Sequence, residues 1–472
     1  MPPQTAAVKI CFATAMPPDP SLPCAYGTLR EGVAMLRIVT QMIEAEAELR
    51  RISERTQAEQ HIHREATVRE ILQAVRRQGD RALLEYTAEF DQVELSLSEL
   101  RVSGAELEAA YQAVSPQLLS ALRLAKQRIE AFHRQRVPSS WVMFPTPEII
   151  LGKQYRPVDR AGLYIPGGRA AYPSTVLMNA IPAQVAGVPE IVMVTPPGSD
   201  GAGGKGISPA VLVAAQEAGI QIIYRVGGAQ AIGALAYGTE TIPKVDVITG
   251  PGNIYVTLAK KQVYGTVGID SLAGPSEVLI IADGSANPIH LAVDLLAQAE
   301  HDPLAAAILL TPDAKLAQQV QQAVTAQIEA HPNRLMVEKA VVNYGLIALV
   351  PDLQTAAALS NLFAPEHLEL QVADPWALLD SIRHAGAIFL GHHTPEAVGD
   401  YLAGPNHTLP TAGAARYASA LGVETFLKHS SLIQYGPMAL REVAEAIQAL
   451  TQAEGLPAHG QSVQLRLEED HN

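Results

Sequence analysis

The sequence predicts an α/β protein whose parallel sheets are covered on both faces by helices, and three observations predict it. From about residue 160, short and nearly continuous apolar runs alternate with stretches of helical periodicity. Hydrophobic residues make up 48% of the chain, which suits a globular protein and excludes a disordered one. The length of 472 residues exceeds one ordinary core, so two or more cores are expected.

Taken in order, residues 1–34 are rich in Pro and Ala and show no periodicity. Their apolar piece, from Val8 to Met16, is short and broken by Lys9, unlike a signal peptide. The stretch reads as a disordered extension or a misassigned start, with Met35 as the alternative first residue. Residues 35 to about 138 read as helices. The segment 44–55 is charged and amphipathic, Ser103 and Glu106 have capping-box spacing, and Leu118 to Leu124 opens a helix running towards His133. Strands are expected at 162–166, 190–195, 221–226, 245–249, 277–282, 306–311, 347–350, 368–372 and 387–390. Helices are expected near 175–186, 208–218, 229–237, 254–264, 288–302, 313–330 and 375–385. The break at 269–275 suggests two sheets rather than one, and the Gly/Ser stretch 197–208 reads as a surface loop. After about residue 400 the alternation ends. Residues 437–454 form a helix closed by Gly455, and Val463, Leu465 and Leu467 alternate like a short strand. Together these read as a terminal docking arm.

Composition removes several classes of function. A net charge of −14 disfavours nucleic acid, whose phosphates need a cationic face. No apolar run reaches the length of a membrane span, and the chain is expected to be cytoplasmic. The two cysteines, Cys11 and Cys24, lie in the first stretch, so the body has no disulfide framework, cysteine–zinc site or thiol nucleophile.

Chemistry-bearing residues cluster in short motifs. Asn287 and Pro288 are suited to start a helix that Pro303 stops. On it Gln298 and His301 are three apart, sharing a face near a C-terminus that favours cations. An imidazole beside an amide oxygen there could hold a metal, or merely contact a loop. Glycine turns follow or precede strands at Gly167-Gly168-Arg169, Gly227-Gly228, Gly250-Pro251-Gly252-Asn253 and Gly274-Pro275-Ser276. Ligands of α/β sheets bind where strands end, so these turns favour a nucleotide modestly over plain turns. Glu366-His367 could serve as paired bases or sit idle on the surface. Asp400, His407, Glu454 and His459 lie on further polar loops, while His392-His393 reads as a solvated turn.

Taken together these stretches closely resemble the histidinol dehydrogenase family. The resemblance rests on Gly162-Leu163-Tyr164-Ile165-Pro166-Gly167-Gly168, Val226-Gly227-Gly228-Ala229-Gln230-Ala231-Ile232, Gly250-Pro251-Gly252-Asn253, Ala273-Gly274-Pro275-Ser276-Glu277-Val278, Gln298-Ala299-Glu300-His301, Ala364-Pro365-Glu366-His367-Leu368, and Gly399-Asp400-Tyr401 with Gly404-Pro405-Asn406-His407. It runs from about residue 36 to the end. It implies two incomplete Rossmann-like domains with parallel-rich sheets and small helical N- and C-terminal domains. The expected division is 35–56, 57–163 with 278–421, 164–277, and a dimerisation arm at 422–472. By resemblance, Gln298, His301, Asp400 and His459 would bind one zinc ion per subunit. Tyr164, Gln230 and Asn253 would contact NAD. Ser276, Gln298, His301, His367, Asp400, His407, Glu454 and His459 would form the substrate site, and Glu366 and His367 would be the catalytic acid–base residues. The family is a homodimer whose C-terminal arm reaches the partner's site.

The resemblance implies a four-electron oxidation of L-histidinol through L-histidinaldehyde to L-histidine with two NAD, the last steps of histidine biosynthesis. With no thiol available, water would attack the aldehyde, activated by Glu366. The alternatives are a sister zinc/NAD dehydrogenase acting on another amino or sulfonated alcohol, a zinc hydrolase, and a non-catalytic nucleotide-binding scaffold.

Overall fold

The computed structural model describes residues 36–55, 62–167, 171–198 and 204–469. The expected extension over 1–34, and Gly168 and Arg169 of the first glycine turn, lie outside the described residues. Fourteen strands are described. They are β1 (Ile38–Val39), β2 (Trp141–Thr146), β3 (Ile149–Pro157), β4 (Arg160–Tyr164), β5 (Glu190–Thr195), β6 (Ile222–Arg225), β7 (Val247–Thr249), β8 (Gly268–Ile269), β9 (Glu277–Ala282), β10 (Ala306–Thr311), β11 (Gly345–Leu349), β12 (His367–Gln371), β13 (Ala387–Leu390) and β14 (Leu427–Tyr435).

They form two parallel sheets and one antiparallel sheet. The first parallel sheet has the order β6-β5-β4-β7-β8, and the second β1-β11-β10-β9-β12-β13. Numbered from β4 and from β9, both follow the order 3-2-1-4-5 of a doubly wound half, with β1 added at one edge of the second. The central strands are buried on both faces, as their apolar runs require. Along β9, Val278 and Ile280 enter one core while Leu279 and Ile281 enter the other. This two-residue period lets one strand join two layers of helices.

The helices between 62 and 133 pack on the first parallel sheet. Val68, Leu72 and Val75 share a core with Val192, Val194 and Ile232, and Leu122 and Ile129 share one with Leu177 and Ile181. This differs from the expected grouping of 57–163 with 278–421. The segment 36–53 instead joins the second sheet, through β1 and through Leu49 and Ile52, which pack in the core of Ile281 and Ile308.

The third sheet, β14-β3-β2, is antiparallel and was not expected. Its strand β14 pairs along its whole length with β3, from Leu427 opposite Pro157 to Tyr435 opposite Ile149. The helix Pro437–Glu454 follows and Gly455, with φ +70°, ends it. The expected strand around Val463 to Leu467 is the helix Pro457–Glu469, which packs on the preceding helix. Pro457 suits the first helical position, and Gln, Leu, Arg and Glu beyond it favour a helix over a strand.

One close backbone approach fixes the first sheet's ligand end. Gly250 has φ +113°, and a Cβ there would lie 2.0 Å from the Tyr164 carbonyl oxygen. The buried Lys260 ammonium donates to the Gly250 carbonyl at 3.0 Å and to Asp270, whose other oxygen accepts the Gly250 N–H at 2.8 Å. Gly250→Ala should therefore destabilise the protein by at least about 2 kcal/mol. Gly104→Ala, at a helix start with nothing within 4 Å, should stay within about 0.5 kcal/mol of the parent. Denaturant titration of the two variants compares them.

Candidate functional site

The second sheet contributes the entry ends of its strands, not their carboxyl ends. Glu277 opens β9 and His367 opens the neighbouring β12, with His367 registered against Val278. Glu366 is therefore in the loop just before the strand, and His367 is its first residue. The Glu277 N–H donates to Glu366 Oε2 at 3.0 Å. The Glu277 carbonyl lies 3.1 Å from His367 Nδ1. A carbonyl can only accept, so Nδ1 carries the proton and Nε2 presents a lone pair. Nε2 is buried, has no hydrogen-bond partner among the described residues, and lies 3.9 Å from Asp400 Oδ1. Burial holds His367 down to about 3, so the ring is neutral. Its 3.8 Å approaches to Glu366 and Glu396 are therefore not ion pairs. Glu366 is raised well above the ordinary carboxyl value, by burial first and then by the Glu277 charge, with the Glu277 N–H opposing.

Three of the four candidate metal ligands, Gln298, His301 and Asp400, meet beside this pair. Asn287 caps the helix Pro288–Ala299 by accepting the Ile289 N–H, and Leu291, Leu295, Leu296 and Ala299 face the core. Gln298 lies in its last turn and is fully buried. His301 stands beyond the helix end, its N–H bonded to the Gln298 carbonyl at 3.2 Å, so the two are brought together by the turn rather than by a shared helical face. The short helix Glu396–Tyr401 carries Glu396 and Asp400 one turn apart. One ligand atom each from His301, Glu396 and Asp400 lies within 4.8 Å of the others. The Gln298 amide, turned so that its nitrogen faces Glu396, donates to both carboxylate oxygens at 2.9 and 2.7 Å. Its oxygen is then the atom left for a ligand.

The electrostatics of this cluster suit a cation. Burial pushes Asp400 up to about 7. Glu396 is also raised well above the ordinary carboxyl value, by burial first and then by the charges of Asp400, Glu366, Glu369 and Asp294. Behind it, Glu369 is pushed up to about 8 by burial and the Asp294 charge. Burial also lowers His301, which keeps its imidazole neutral and able to ligate. Imidazole nitrogen and carboxylate oxygen are donors that zinc accepts. Glu396 was not singled out from the sequence; the signal that could have found it is its four-residue spacing from Asp400.

His407 belongs to the same cluster. Its Nδ1 lies 3.0 Å from the Asp400 carbonyl, and its Nε2 lies 3.3 Å from Thr175 Oγ1, on the helix Pro173–Ala186 of the first sheet's layer. Burial holds it down to about 4. Ser276 immediately precedes Glu277, and its carbonyl accepts the Ala306 N–H at 3.0 Å. Glu454 and His459 are exposed on the terminal helix pair, and His459 lies outside the trio of His301, Glu396 and Asp400.

The expected NAD residues gather at the carboxyl ends of the first sheet. Tyr164 closes β4, and its buried hydroxyl accepts the Gly228 N–H at 3.2 Å. Gln230, 1% exposed in the first turn of the helix Gly228–Tyr237, has no partner for either amide atom among the described residues. Asn253 caps the helix Ile254–Val263 with its oxygen, accepting the Tyr255 and Val256 N–H groups at 3.0 and 3.2 Å, so only its amide nitrogen is left for a ligand. Two helix N-termini and an orphaned buried amide fit the phosphates and amides of a dinucleotide. A cavity of about 810 Å³ against Phe132, His133, Ile388, Phe389 and Leu421 is lined by none of the expected site residues.

Known proteins of similar sequence and fold fall in one family. The family model for histidinol dehydrogenase matches residues 53–467. The chain is 71% identical over 436 residues to histidinol dehydrogenase 2 of Trichormus variabilis, covering 92% of this chain and 100% of that one. It is 69% identical over 434 residues to the histidinol dehydrogenase of Thermosynechococcus vestitus, with 92% and 100% covered. The crystal structure of histidinol dehydrogenase from Elizabethkingia anophelis superposes with a TM-score of 0.86 at 37% identity, covering 94% of this chain and 100% of that chain. The chain is an oxidoreductase and belongs to the histidinol dehydrogenase family.

Proposed function

We propose that the chain oxidises L-histidinol to L-histidine through L-histidinaldehyde, as a zinc- and NAD-dependent cytoplasmic homodimer in the last steps of histidine biosynthesis. The observation that carries this reading is the fork at Glu277. It leaves a neutral His367 with a free, buried Nε2 directed at the Asp400 cluster, and holds Glu366 beside it. Gln298, His301, Asp400 and His459 would hold zinc, with Glu396 next to them. Zinc, when bound, would supply a positive charge and positions for the imidazole and amine nitrogens of the substrate. NAD, held by Tyr164, Gln230 and Asn253, would accept one hydride in each half of the reaction.

The chain's own residues would move the protons. In the first half His367 Nε2 takes the hydroxyl proton as hydride leaves the carbinol carbon, giving the aldehyde. The aldehyde carbon keeps one hydrogen, but it can leave as hydride to give an acid only after water has added. Glu366 takes a proton from that water as the new C–O bond forms, and His367 returns its proton to the carbonyl oxygen. His367 is then free to take a hydroxyl proton from the hydrate as the second hydride leaves. Ser276 and His407 would orient the substrate. Glu454 and His459 lie on an arm with exposed Ile433, Met438 and Leu450, consistent with delivery to a partner's site. Among the described residues no helix is long and apolar enough to cross a membrane.

Glu366→Gln should lower histidinaldehyde oxidation by at least about 100-fold while hydride transfer from histidinol persists. Single-turnover NADH formation from each substrate measures this, and full aldehyde oxidation by the variant would refute the role.

The metal reading also fixes a sign for stability. Asp400 and Glu369, pushed up to about 7 and about 8, bind protons more tightly folded than unfolded. The folded form then loses stability as pH rises from the unfolded carboxyl range through these values. His367 and His407, depressed to about 3 and about 4, act in the opposite direction, but their contribution is complete above about pH 6.5. The thermal midpoint of the chelated protein should therefore fall between about pH 6.5 and about pH 8, and zinc, which would bind ionised Asp400, should reduce the fall. A midpoint that rises across that window without metal contradicts the assignment.

A further inference from the structure

One buried ion pair sits directly behind the proposed chemistry and has no place in it so far. Arg55 and Glu277 pair at 3.0 Å with side chains 1% and 0% exposed. The guanidinium also donates to the carbonyls of Ile52 at 2.7 Å, Leu304 at 2.8 Å and Pro275 at 3.2 Å. It lies 5.8 Å from the Tyr344 ring centroid. It thus reaches from the turn after the helix Met42–Ser53 into the entry ends of the second sheet. Such a pair is weak evidence for a stability role, because desolvation of both charges offsets their attraction.

Its location suggests another role. Glu277 is the residue whose N–H grips Glu366 and whose carbonyl grips His367. Its carboxylate is also the charge that, after burial itself, most opposes ionisation of Glu366. We propose that Arg55 is a positioning residue of the reaction, which acts through Glu277 by neutralising that carboxylate so that Glu366 can take a proton from water. This rests on the reading that Glu366 is the base of the aldehyde half. The charged and titratable groups facing Glu366 are Glu277 with Arg55 from the β9 side, His367 next to it at the start of β12, and Asp400 and Glu396 from the short helix. Arg55 is the one cation named among them. Without it, Glu366 would face only carboxylates and the neutral His367 ring.

The test uses the full-length, zinc-loaded dimer with Arg55→Gln, Arg55→Lys, the double variant Arg55→Gln/Glu277→Gln, and Glu366→Gln as a control. Arg55→Gln should lower kcat for histidinaldehyde at least about tenfold, leave KM for histidinol within about twofold, and move the acidic limb of aldehyde oxidation to higher pH. Adding Glu277→Gln should restore kcat to within about threefold of the parent and return the limb, because the bare carboxylate is gone. Arg55→Lys, which keeps the charge, should also stay within about threefold. A double variant no better than Arg55→Gln overturns the proposal, as does an Arg55→Gln protein with parental kcat. If Arg55→Gln does not fold, a tenfold loss in either folded Arg55→Lys or the folded double variant overturns it, and near-parental rates in both support it. Glu366→Gln separates the two levels. If it keeps aldehyde oxidation, the reading of Glu366 has failed. If it loses it while Arg55→Gln does not, only the present inference has failed.

Discussion

Glu277 gives its N–H to Glu366 and its carbonyl to His367, and the chemistry of the site depends on this single fork. The carbonyl contact decides the tautomer of the imidazole, which leaves the Nε2 lone pair free. The N–H contact fixes the carboxyl beside it. Both contacts are cheap for the fold, because Glu277 starts a central strand whose backbone is held on one side by β10 and on the other by β12. Such a pair placed on a free loop would need its own supports.

The two parallel sheets contribute opposite ends to function. The first offers carboxyl ends and helix N-termini at Tyr164, Gly228 and Asn253, the usual setting for a dinucleotide. The second offers the entry ends of β9 and β12, where Glu366, His367 and the acidic cluster gather. His407, bonded to Asp400 on one side and Thr175 on the other, ties the acidic cluster to the first sheet's layer. The cluster itself is crowded with buried carboxyls, and this crowding is unfavourable unless protons or a cation occupy it.

Much of this was legible in the sequence, for identifiable reasons. Strands such as β9, β10 and β13 were read to their end residues because each is a compact apolar run between turn residues. The Asn287 cap and the glycine turns were local signals too. The third sheet was not legible. Its strands are mostly exposed and mixed in character, and β14 pairs with β3 across a gap no local pattern spans. The last helix was misread because Val463, Leu465 and Leu467 fit a two-residue period by chance. The packing of helices 62–133 on the first sheet is likewise a long-range fact. At the site, the metal trio is assembled from two distant segments, and Glu396 became visible only when its neighbours were in place. The Arg55–Glu277 pair spans 222 residues, and no spacing rule reaches that far.

One set of residues is proposed to carry both oxidations on one metal-held substrate. Counting NADH released per L-histidinol consumed tests it most directly, with parallel runs in chelator and after zinc is restored. The account predicts two NADH per histidinol, lost in chelator and recovered with zinc. A single NADH with accumulation of the aldehyde, or full turnover in the chelated protein, would contradict it.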